Sequence, residues 1–283
     1  MTAPTPPLGL RALPAATPDL RAALGTVPGL FRLTDDPAAA VTWLTTGDEG
    51  WAPRADAALA AGARLVVLDT DQPVTPDDVA RLGGRPVVLL GAWTHAPQLR
   101  ALAQALPGLG AADLVDLLVV DGSDDAPAPE AALWGATSML AAVGLGLDSV
   151  PRVTSADHVV TADATARTAR VHVTCVHRPG AAARASLKVF TPEGSVEATL
   201  GDPGVAAPGR VLVVTADSGS LTGTAYETPR RVALHDAHAA LARPGSSPPP
   251  GLLDTHAHTA RLLSEVSWAP GTAVTSHPLE GTR

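Results

Sequence analysis

Short apolar runs alternate with amphipathic stretches along the first third of the chain. We predict five strands from these runs, at residues 8–13, 29–34, 41–45, 63–68 and 85–90. The stretches between them predict helices at residues 19–24, 53–61 and 75–82. The last of these helices begins with a cap residue, a proline and two acids, namely Thr75, Pro76, Asp77 and Asp78. The regular succession of strand, helix and strand predicts a parallel sheet with crossover helices.

The pattern of apolar positions changes after residue 92. Helices are predicted at residues 97–106 and 128–143, on either side of a strand at 114–120. Alternating runs then predict strands at residues 170–177, 185–190, 195–200, 210–215 and 220–226. Such runs are typical of an antiparallel sheet with one solvated face. Two more helices, at residues 231–242 and 252–268, complete the pattern.

The predicted fold class is therefore α/β, with two domains. Residues 1–92 are predicted to form a truncated Rossmann-like domain with a parallel sheet. Residues 93–283 are predicted to form an α+β domain with a mostly antiparallel open sheet. The segment 244–251 is rich in Pro, Gly and Ser, and we interpret it as a linker between two helices.

Composition narrows the classes of function. The chain has 283 residues, of which 46% are apolar, and a net charge of -8 from 20 basic and 28 acidic side chains. Phosphate neutralisation needs clustered Lys and Arg, so the acidic excess and the single lysine, Lys188, argue against a nucleic-acid partner. The longest uncharged stretch, residues 131–147, is too short to span a membrane and predicts a buried helix. The first ten residues lack a signal-peptide pattern, so we expect a cytoplasmic protein.

Two groups of histidines are candidates for a metal site. Asp254, His256 and His258 resemble the strand-end metal motif of amidohydrolases, in which two His side chains point the same way. The apolar spacing around them is helical, however, and residues two apart on a helix point about 200° apart. His235 and His238 have a chelating spacing, but two ligands alone favour a solvated helix face. We predict no metal site, and a metal-dependent hydrolase built on the first group is a remaining alternative.

The turn after the first predicted strand is where a dinucleotide would bind in a Rossmann unit. Such a turn needs glycines, because the backbone must approach the pyrophosphate closely. Residues 13–18 instead read LPAATP, and the prolines Pro14 and Pro18 remove two backbone donors. Asp35 and Asp36 end the second strand, where an acid would contact a ribose, but they equally suit a simple turn.

The order of the elements resembles the Gfo/Idh/MocA family of NAD(P)-dependent sugar and cyclitol oxidoreductases. Residues 41–68 look like the family's strand, loop and helix before its catalytic turn, and residues 187–200 (LKVFTPEGSVEATL) look like one of its hairpins. Residues 231–274 look like its last two helices and final strand, the latter at 271–274. The resemblance implies a Rossmann-like domain, an NAD or NADP cofactor and hydride transfer involving a sugar or polyol.

The residues that carry the family's chemistry are missing at the matching positions. Its Glu-Lys-Pro turn falls on Asp69-Thr70-Asp71, or in a shifted alignment on Asp71-Gln72-Pro73, and neither alignment supplies a lysine. Its motif Asp-x-Gly-x-His-x-x-Asp falls on four residues without an acid or a base, namely Gly135, Thr137, Met139 and Ala142. A positioned general acid or base contributes about 10² to 10⁴-fold to a rate, so these losses argue against the family's reaction.

We therefore predict a non-catalytic, degenerate relative that needs no cofactor and acts as a binding or partner protein. It would form a homo-oligomer, or pair with a paralogous subunit, through the open face of the C-terminal sheet, a surface through which many members of the family associate. The alternative is an NAD(P)-dependent oxidoreductase acting on a sugar or polyol with an atypical site. In that case Asp69, Asp71 and His95 are the candidate catalytic residues, and Asp35 and Asp36 the candidate cofactor contacts.

Overall fold

The computed structural model describes residues 7–45, 50–70, 74–242, 252–266 and 268–270. In this part of the chain the first sheet contains five strands, namely β1 (Leu8–Leu13), β2 (Phe31–Leu33), β3 (Val41–Thr45), β4 (Leu65–Asp69) and β5 (Val87–Leu90). All of them are parallel, in the order β2-β1-β3-β4-β5. Three helices follow strands of this sheet, namely α1 (Pro18–Gly25), α2 (Trp51–Ala60) and α3 (Pro76–Leu82). The predicted parallel sheet with crossover helices is confirmed.

A second, larger sheet follows. Within the described ranges it contains nine strands, namely β6 (Leu114–Asp121), β7 (Ser149–Ala156), β8 (Val159–Ala166), β9 (Ala169–His177), β10 (Arg184–Thr191), β11 (Gly194–Leu200), β12 (Arg210–Thr215), β13 (Gly219–Leu221) and β14 (Trp268–Pro270). Their order is β13-β12-β11-β10-β6-β9-β8-β7-β14. Only the pairs β6–β9 and β7–β14 are parallel, so the prediction of a mostly antiparallel sheet is confirmed. The accompanying helices are α4 (Pro97–Ala105), α5 (Pro129–Ala142), α6 (Pro229–Ala242) and α7 (Leu252–Glu265).

Side-chain caps fix the starts of α1 and α3. The Thr17 hydroxyl accepts a hydrogen bond from the Leu20 backbone N–H at 3.2 Å, and Pro18 occupies the first helical position. At α3, Thr75 and Asp78 form a reciprocal capping box, in which each side chain accepts from the other residue's backbone N–H. Both helices therefore begin at the carboxyl edge of the parallel sheet with defined N-termini.

Helices from the second part of the chain pack on both sheets. α4 and α5 cover one face of the second sheet, over an apolar layer that includes Leu117 and Val173. α6 packs on the first sheet, where Leu234 is fully buried. α7 and Trp134 of α5 belong to the apolar cluster on the opposite face of that sheet. The N-terminus of α6 is thereby placed near the carboxyl edge of the first sheet. The domain boundary predicted at residue 92 stays a prediction.

The uncharged stretch predicted as a buried helix forms α5 and the turn after it. Leu133, Met139 and Leu140 of this helix are fully buried. Gly144 follows the helix with a φ of +78°, a conformation that glycine adopts without steric cost. Among the helices in the described part of the chain, none is long and apolar enough to cross a membrane.

Three elements of the second part differ from the prediction. The hairpin of β7 and β8 is not predicted by the sequence pattern, because alanines fill buried positions of β8 and alanine has little preference for strands. The strand predicted at 220–226 is wrong in its bounds, since β13 covers only Gly219–Leu221. The helix predicted at 252–268 ends at Glu265, and Trp268–Pro270 pairs with β7. The strand expected at 271–274 lies outside the described residues.

Candidate functional site

A pocket lies at the carboxyl ends of β3, β4 and β5. It has a volume of about 180 Å³, and seven of the described residues line it, namely Thr45, Asp69, Thr70, Leu90, Gly91, Ala92 and Arg230. In open α/β sheets, ligands bind outside the carboxyl ends of the strands, near the point where the strand order reverses. The order in the first sheet reverses between β1 and β3. The pocket therefore lies at the edge of the sheet where a ligand site is expected.

Asp69 and Arg230 form the charged wall of this pocket. Asp69 ends β4, on the same face as Leu65 and Val67, which is the face that α6 covers. Arg230, in the first turn of α6, donates from Nε and Nη2 to the two carboxylate oxygens of Asp69 at 3.0 and 3.5 Å. Its Nη1 lies 3.3 Å from Oδ2 of Asp19 in the first turn of α1. One guanidinium thus connects α6 with both β4 and α1.

The environment of Asp69 raises its pKa. Burial is the main cause, because the side chain is only 12% exposed and the charged form loses hydration. The charge and the hydrogen bonds of Arg230 favour the ionised form and oppose this shift, without cancelling it. Removal of Arg230 would therefore leave a buried carboxylate without its cation, which is costly.

His95, a second catalytic candidate, does not line the pocket. Its Nε2 lies 3.1 Å from the carbonyl oxygen of Leu89, and its Nδ1 lies 3.4 Å from Oδ2 of Asp236 in α6. Arg100 donates to the same Asp236 oxygen at 2.6 Å. Burial of Asp236 favours its neutral form and raises its pKa. The hydrogen bonds from His95 and Arg100, together with their charges, favour the carboxylate more strongly, so the pKa of Asp236 lies below its usual value. Both ring nitrogens of His95 therefore connect elements of the fold, and its catalytic role stays a prediction.

The remaining acidic candidates are also placed away from the pocket or lie outside the described residues. Asp35 and Asp36 follow β2, and both are exposed. Oδ1 of Asp36 accepts a hydrogen bond from the Ala38 N–H at 2.9 Å, which is a turn geometry. Asp71 lies outside the described residues. Among the candidate catalytic and cofactor-binding residues that the structure describes, Asp69 is thus the one that lines the pocket.

The connection between β1 and α1 does not fit the pyrophosphate of a dinucleotide. It contains no glycine, and Pro14 has no backbone N–H to donate. The Thr17 side chain already accepts from the Leu20 N–H, one of the donors at the start of α1. The Asp19 carboxylate occupies the first turn of α1, where its negative charge would repel a bound anion. The residues of this connection therefore do not fit the phosphates of NAD or NADP.

The α5 positions that match the family's second motif also lack a group able to transfer a proton near neutral pH. Met139, at the position of the acid/base histidine, is fully buried in the core of the second sheet. The Thr137 hydroxyl donates to the backbone carbonyl of Leu133 at 2.9 Å. Of these residues, Met139 therefore packs in the core, and the Thr137 hydroxyl hydrogen-bonds within its own helix.

Ser138 and His256 form a buried polar pair that the sequence analysis does not connect. Ser138 Oγ lies 3.2 Å from His256 Nδ1, and the His256 ring packs against Trp134 with a centroid distance of 4.9 Å. Burial lowers the pKa of His256 to about 4, so the ring is neutral near pH 7. A Cβ added to Gly91 would lie 3.9 Å from the Cβ of Ser138, so the pair is located behind the pocket wall. The two residues are 118 positions apart, and no local sequence signal joins them.

The two histidine groups considered for metal binding both lie on helices. His256 is buried and His258 is exposed on α7, as expected for helical residues two apart. His238 of α6 packs edge-on against Phe31 at 5.8 Å. Within the described ranges, no group of three or more His, Cys, Asp or Glu side chains is placed to hold a metal ion.

The only lysine lies far from the pocket in the fold. Lys188 belongs to β10, on the face of the second sheet that the helices do not cover. Its Nζ lies 3.7 Å from Oε2 of Glu197 and 5.1 Å from the ring centroid of Phe190. Because Lys188 is the only lysine of the chain and lies on the second sheet, the pocket contains no lysine.

No protein-family model matches the chain, and no curated protein sequence is significantly similar to it. Solved structures are similar to it over nearly the whole length. An oxidoreductase from Sinorhizobium meliloti has 13% identity and a TM-score of 0.69, covering 92% of this chain and 96% of its own. KijD10, a 3-ketoreductase from Actinomadura kijaniata in complex with NADP and TDP-benzene, has 13% identity and a TM-score of 0.63, with 93% and 98% covered. MviM, a dehydrogenase from Clostridium difficile, has 8% identity and a TM-score of 0.65, with 91% and 97% covered.

These similarities establish the fold. The chain has the two-sheet architecture of Gfo/Idh/MocA-type oxidoreductases, so the resemblance found in the sequence is confirmed at the level of the fold. At sequence identities of 8–13%, the activities of these proteins cannot be assigned to this chain.

Proposed function

We propose that this chain is a partner-binding protein that keeps the two-sheet oxidoreductase fold without hydride-transfer chemistry. The observation that carries the proposal is the position of Lys188, the only lysine, on the open sheet face and not at the pocket. The Asp69 carboxylate at the pocket is engaged by Arg230, whose guanidinium does not give up a proton in proteins. Among the described residues that line the pocket, none is therefore a cationic group able to transfer a proton.

The open face of the second sheet is the surface we propose for association. Five residues in register form a charged row across it, namely Asp163, His172, Asp116, Lys188 and Glu197. Exposed apolar side chains lie beside this row or at its end, namely Leu114, Leu118, Leu212 and Val214. Apolar residues flanking complementary charges are typical of a surface that binds another protein.

A second copy of the chain is the partner that the charged row fits. Asp116 and Lys188 are directly opposite each other on adjacent strands. A two-fold axis between them would place Lys188 of each copy against Asp116 of the other, as a self-complementary interface requires. The proposal therefore predicts a homodimer, and a paralogous subunit with the same row would fit the same surface.

Sedimentation velocity or light scattering tests this proposal. The wild type should be a dimer at micromolar concentration, and Lys188→Glu should dissociate it by placing like charges opposite each other. The variant Lys188→Glu combined with Asp116→Lys should restore the dimer, because the charge pairs are then exchanged. Arg81→Glu, at an exposed position of α3, is the matched control and should leave the mass unchanged. A wild-type monomer at all concentrations, with no paralogue captured, would overturn the proposal.

The second candidate function is an NAD(P)-dependent oxidoreductase acting on a sugar or polyol. The observation that favours it is the pocket at the carboxyl edge of a sheet whose fold is shared with KijD10, solved with NADP. Titration calorimetry with NAD+, NADH, NADP+ and NADPH up to millimolar concentration separates the two functions. We expect no binding, because the β1–α1 connection lacks a phosphate cradle. Micromolar binding would favour the oxidoreductase and would call for a screen of sugar and polyol substrates.

A further inference from the structure

We propose that protonation of His172 strengthens the homodimer, because the charged ring forms a second ion pair across the interface, with Glu197 of the second copy. This inference rests on the proposed function and adds the regulation of that same surface by pH. A histidine suits this role because the charge of its side chain changes between about pH 5 and pH 8.

The charged row alternates in sign except at His172. Arg152 of β7 lies opposite Asp163 in the register and extends the row by one strand. From β7 to β11 the positions then carry a positive charge, a negative charge, the histidine, and a negative, a positive and a negative charge, namely Arg152, Asp163, His172, Asp116, Lys188 and Glu197. The protonated ring therefore makes the signs alternate along the whole row, whereas the neutral ring leaves an uncharged position between two carboxylates.

The groups around His172 in its own copy come from three strands. Its Nδ1 lies 3.0 Å from Oδ1 of Asp163 on β8, and its Nε2 lies 3.2 Å from the hydroxyl of Thr174 on β9. Asp116 is directly opposite on β6, and Arg170 precedes His172 by two positions on β9. These groups act on the ring in the monomer and in the dimer, so they do not by themselves make association depend on pH. The His172 side chain is 46% exposed, so a second copy can reach it.

The two-fold axis that pairs Lys188 with Asp116 also determines what lies opposite His172. This axis runs between β6 and β10, so the next strands outward, β9 and β11, face each other across the interface. His172 and Glu197 are each one strand outward from the central pair, in the same register. The ring of each copy therefore faces the Glu197 carboxylate of the other copy. Lys188 of the second copy lies opposite Asp116, which offsets its repulsion of the protonated ring.

Glu197 is able to accept this second cation. Its Oε2 lies 3.7 Å from Nζ of Lys188, and the two side chains are 32% and 39% exposed, so the carboxylate keeps an accessible side. Association excludes water from the surface and strengthens the attraction between opposite charges. Two such pairs form in each dimer, each with one bound proton, so the dimer becomes more stable as the pH falls through the range in which histidine titrates.

Sedimentation velocity at two pH values and one ionic strength tests the inference. The Kd of the wild-type dimer should be at least about tenfold lower at pH 6.0 than at pH 8.0. A dimer with the same Kd at both pH values, or with a higher Kd at pH 6.0, overturns the inference and leaves the proposed function standing. A wild-type monomer at both pH values, with no paralogue captured, overturns the proposed function and this inference together.

Variants assign the pH dependence to this pair of side chains. His172→Gln keeps a polar side chain that does not titrate, and it should reduce the ratio of the two Kd values to about one. Glu197→Gln removes the facing carboxylate and should reduce the ratio in the same way. His235→Gln, at an exposed position of α6, is the matched control and should keep the wild-type ratio. An undiminished ratio in His172→Gln or in Glu197→Gln would overturn the inference, because both groups are needed for the pair.

Discussion

Replacement of Arg230 by methionine tests the ion pair that closes the pocket. Methionine keeps much of the aliphatic volume but removes the guanidinium from Asp69, whose side chain is 12% exposed. Breaking a fully buried ion pair by removing one partner costs about 3–5 kcal/mol. The Arg230 side chain is 26% exposed, so solvent offsets part of this cost, and we expect a loss of about 2–3 kcal/mol. At roughly 2–4 °C per kcal/mol for a large domain, the melting temperature at pH 7.5 should fall by about 4–12 °C.

The pH dependence of this loss identifies its cause. Asp69 has a pKa raised above its unfolded value of 3.8, so its contribution to stability is present below pH 3.8 and is lost as the pH rises through the folded pKa. Without Arg230 the folded pKa rises further, and more stability is lost between pH 4 and neutral pH. The variant should therefore differ little from the wild type near pH 4 and most at pH 7.5, as measured by calorimetry across this range.

Two further variants separate the ion pair from general effects. Arg85→Met removes a surface ion pair with Asp56, in which both side chains are more than 40% exposed, and should cost less than about 1 kcal/mol. Adding Asp69→Asn to Arg230→Met should recover part of the lost stability, because no uncompensated charge remains. If Arg230→Met is no more destabilising than Arg85→Met at pH 7.5, the ion pair does not stabilise the fold and the reasoning fails.

Three further predictions concern buried groups and a helix cap. Burial raises the pKa of Cys175 to about 12, so at pH 8 iodoacetamide should modify the native thiol on the order of 10³-fold more slowly than the unfolded one; comparable rates would contradict this. Burial lowers the pKa of His256 to about 4, so the folded protein disfavours the protonated ring. The contribution of the neutral ring to the stability of the fold is therefore present above pH 6.5 and is lost as the pH falls towards 4. In urea titrations at several pH values, the free energy of unfolding of the wild type should fall by about 3 kcal/mol over this range, and that of His256→Phe should not. Thr75→Ala should destabilise the protein by about 1 kcal/mol in the same titrations, whereas Thr75→Ser should not, because serine keeps the cap of α3.

The sequence predicts most of the elements because their signals are local. The strands of the first sheet are short apolar runs, and the start of α3 at Thr75 is marked by a capping box within four residues. The hairpin of β7 and β8 has no such signal. Its buried positions include Ala162 and Ala164, and Pro151 interrupts β7, so neither strand shows a run of β-branched or aromatic residues.

The candidate site is less predictable because its members are distant in the sequence. Asp69 is identified as a candidate from its place at the end of a strand, but its partner Arg230 is 161 positions away. The predicted helix at 231–242 begins one residue after this arginine, and nothing in its neighbourhood indicates a contact with β4. His95 is likewise found in the expected loop, yet its contacts are decided by Asp236, 141 positions further along. Only packing of α6 on the first sheet brings these side chains together.

Arg230 changes what the missing family lysine implies. The resemblance places that lysine at position 70 or 72, directly after β4, and the chain has none there. The structure nevertheless places a cation at the end of β4, delivered by α6 and held 3.0 Å from Asp69. A guanidinium reproduces the positive charge and stabilises the carboxylate, but it stays protonated in proteins and does not transfer a proton as a lysine in a pocket does. The end of β4 therefore keeps a positive charge next to a buried carboxylate, supplied by a side chain 161 positions away in place of a lysine in the following turn.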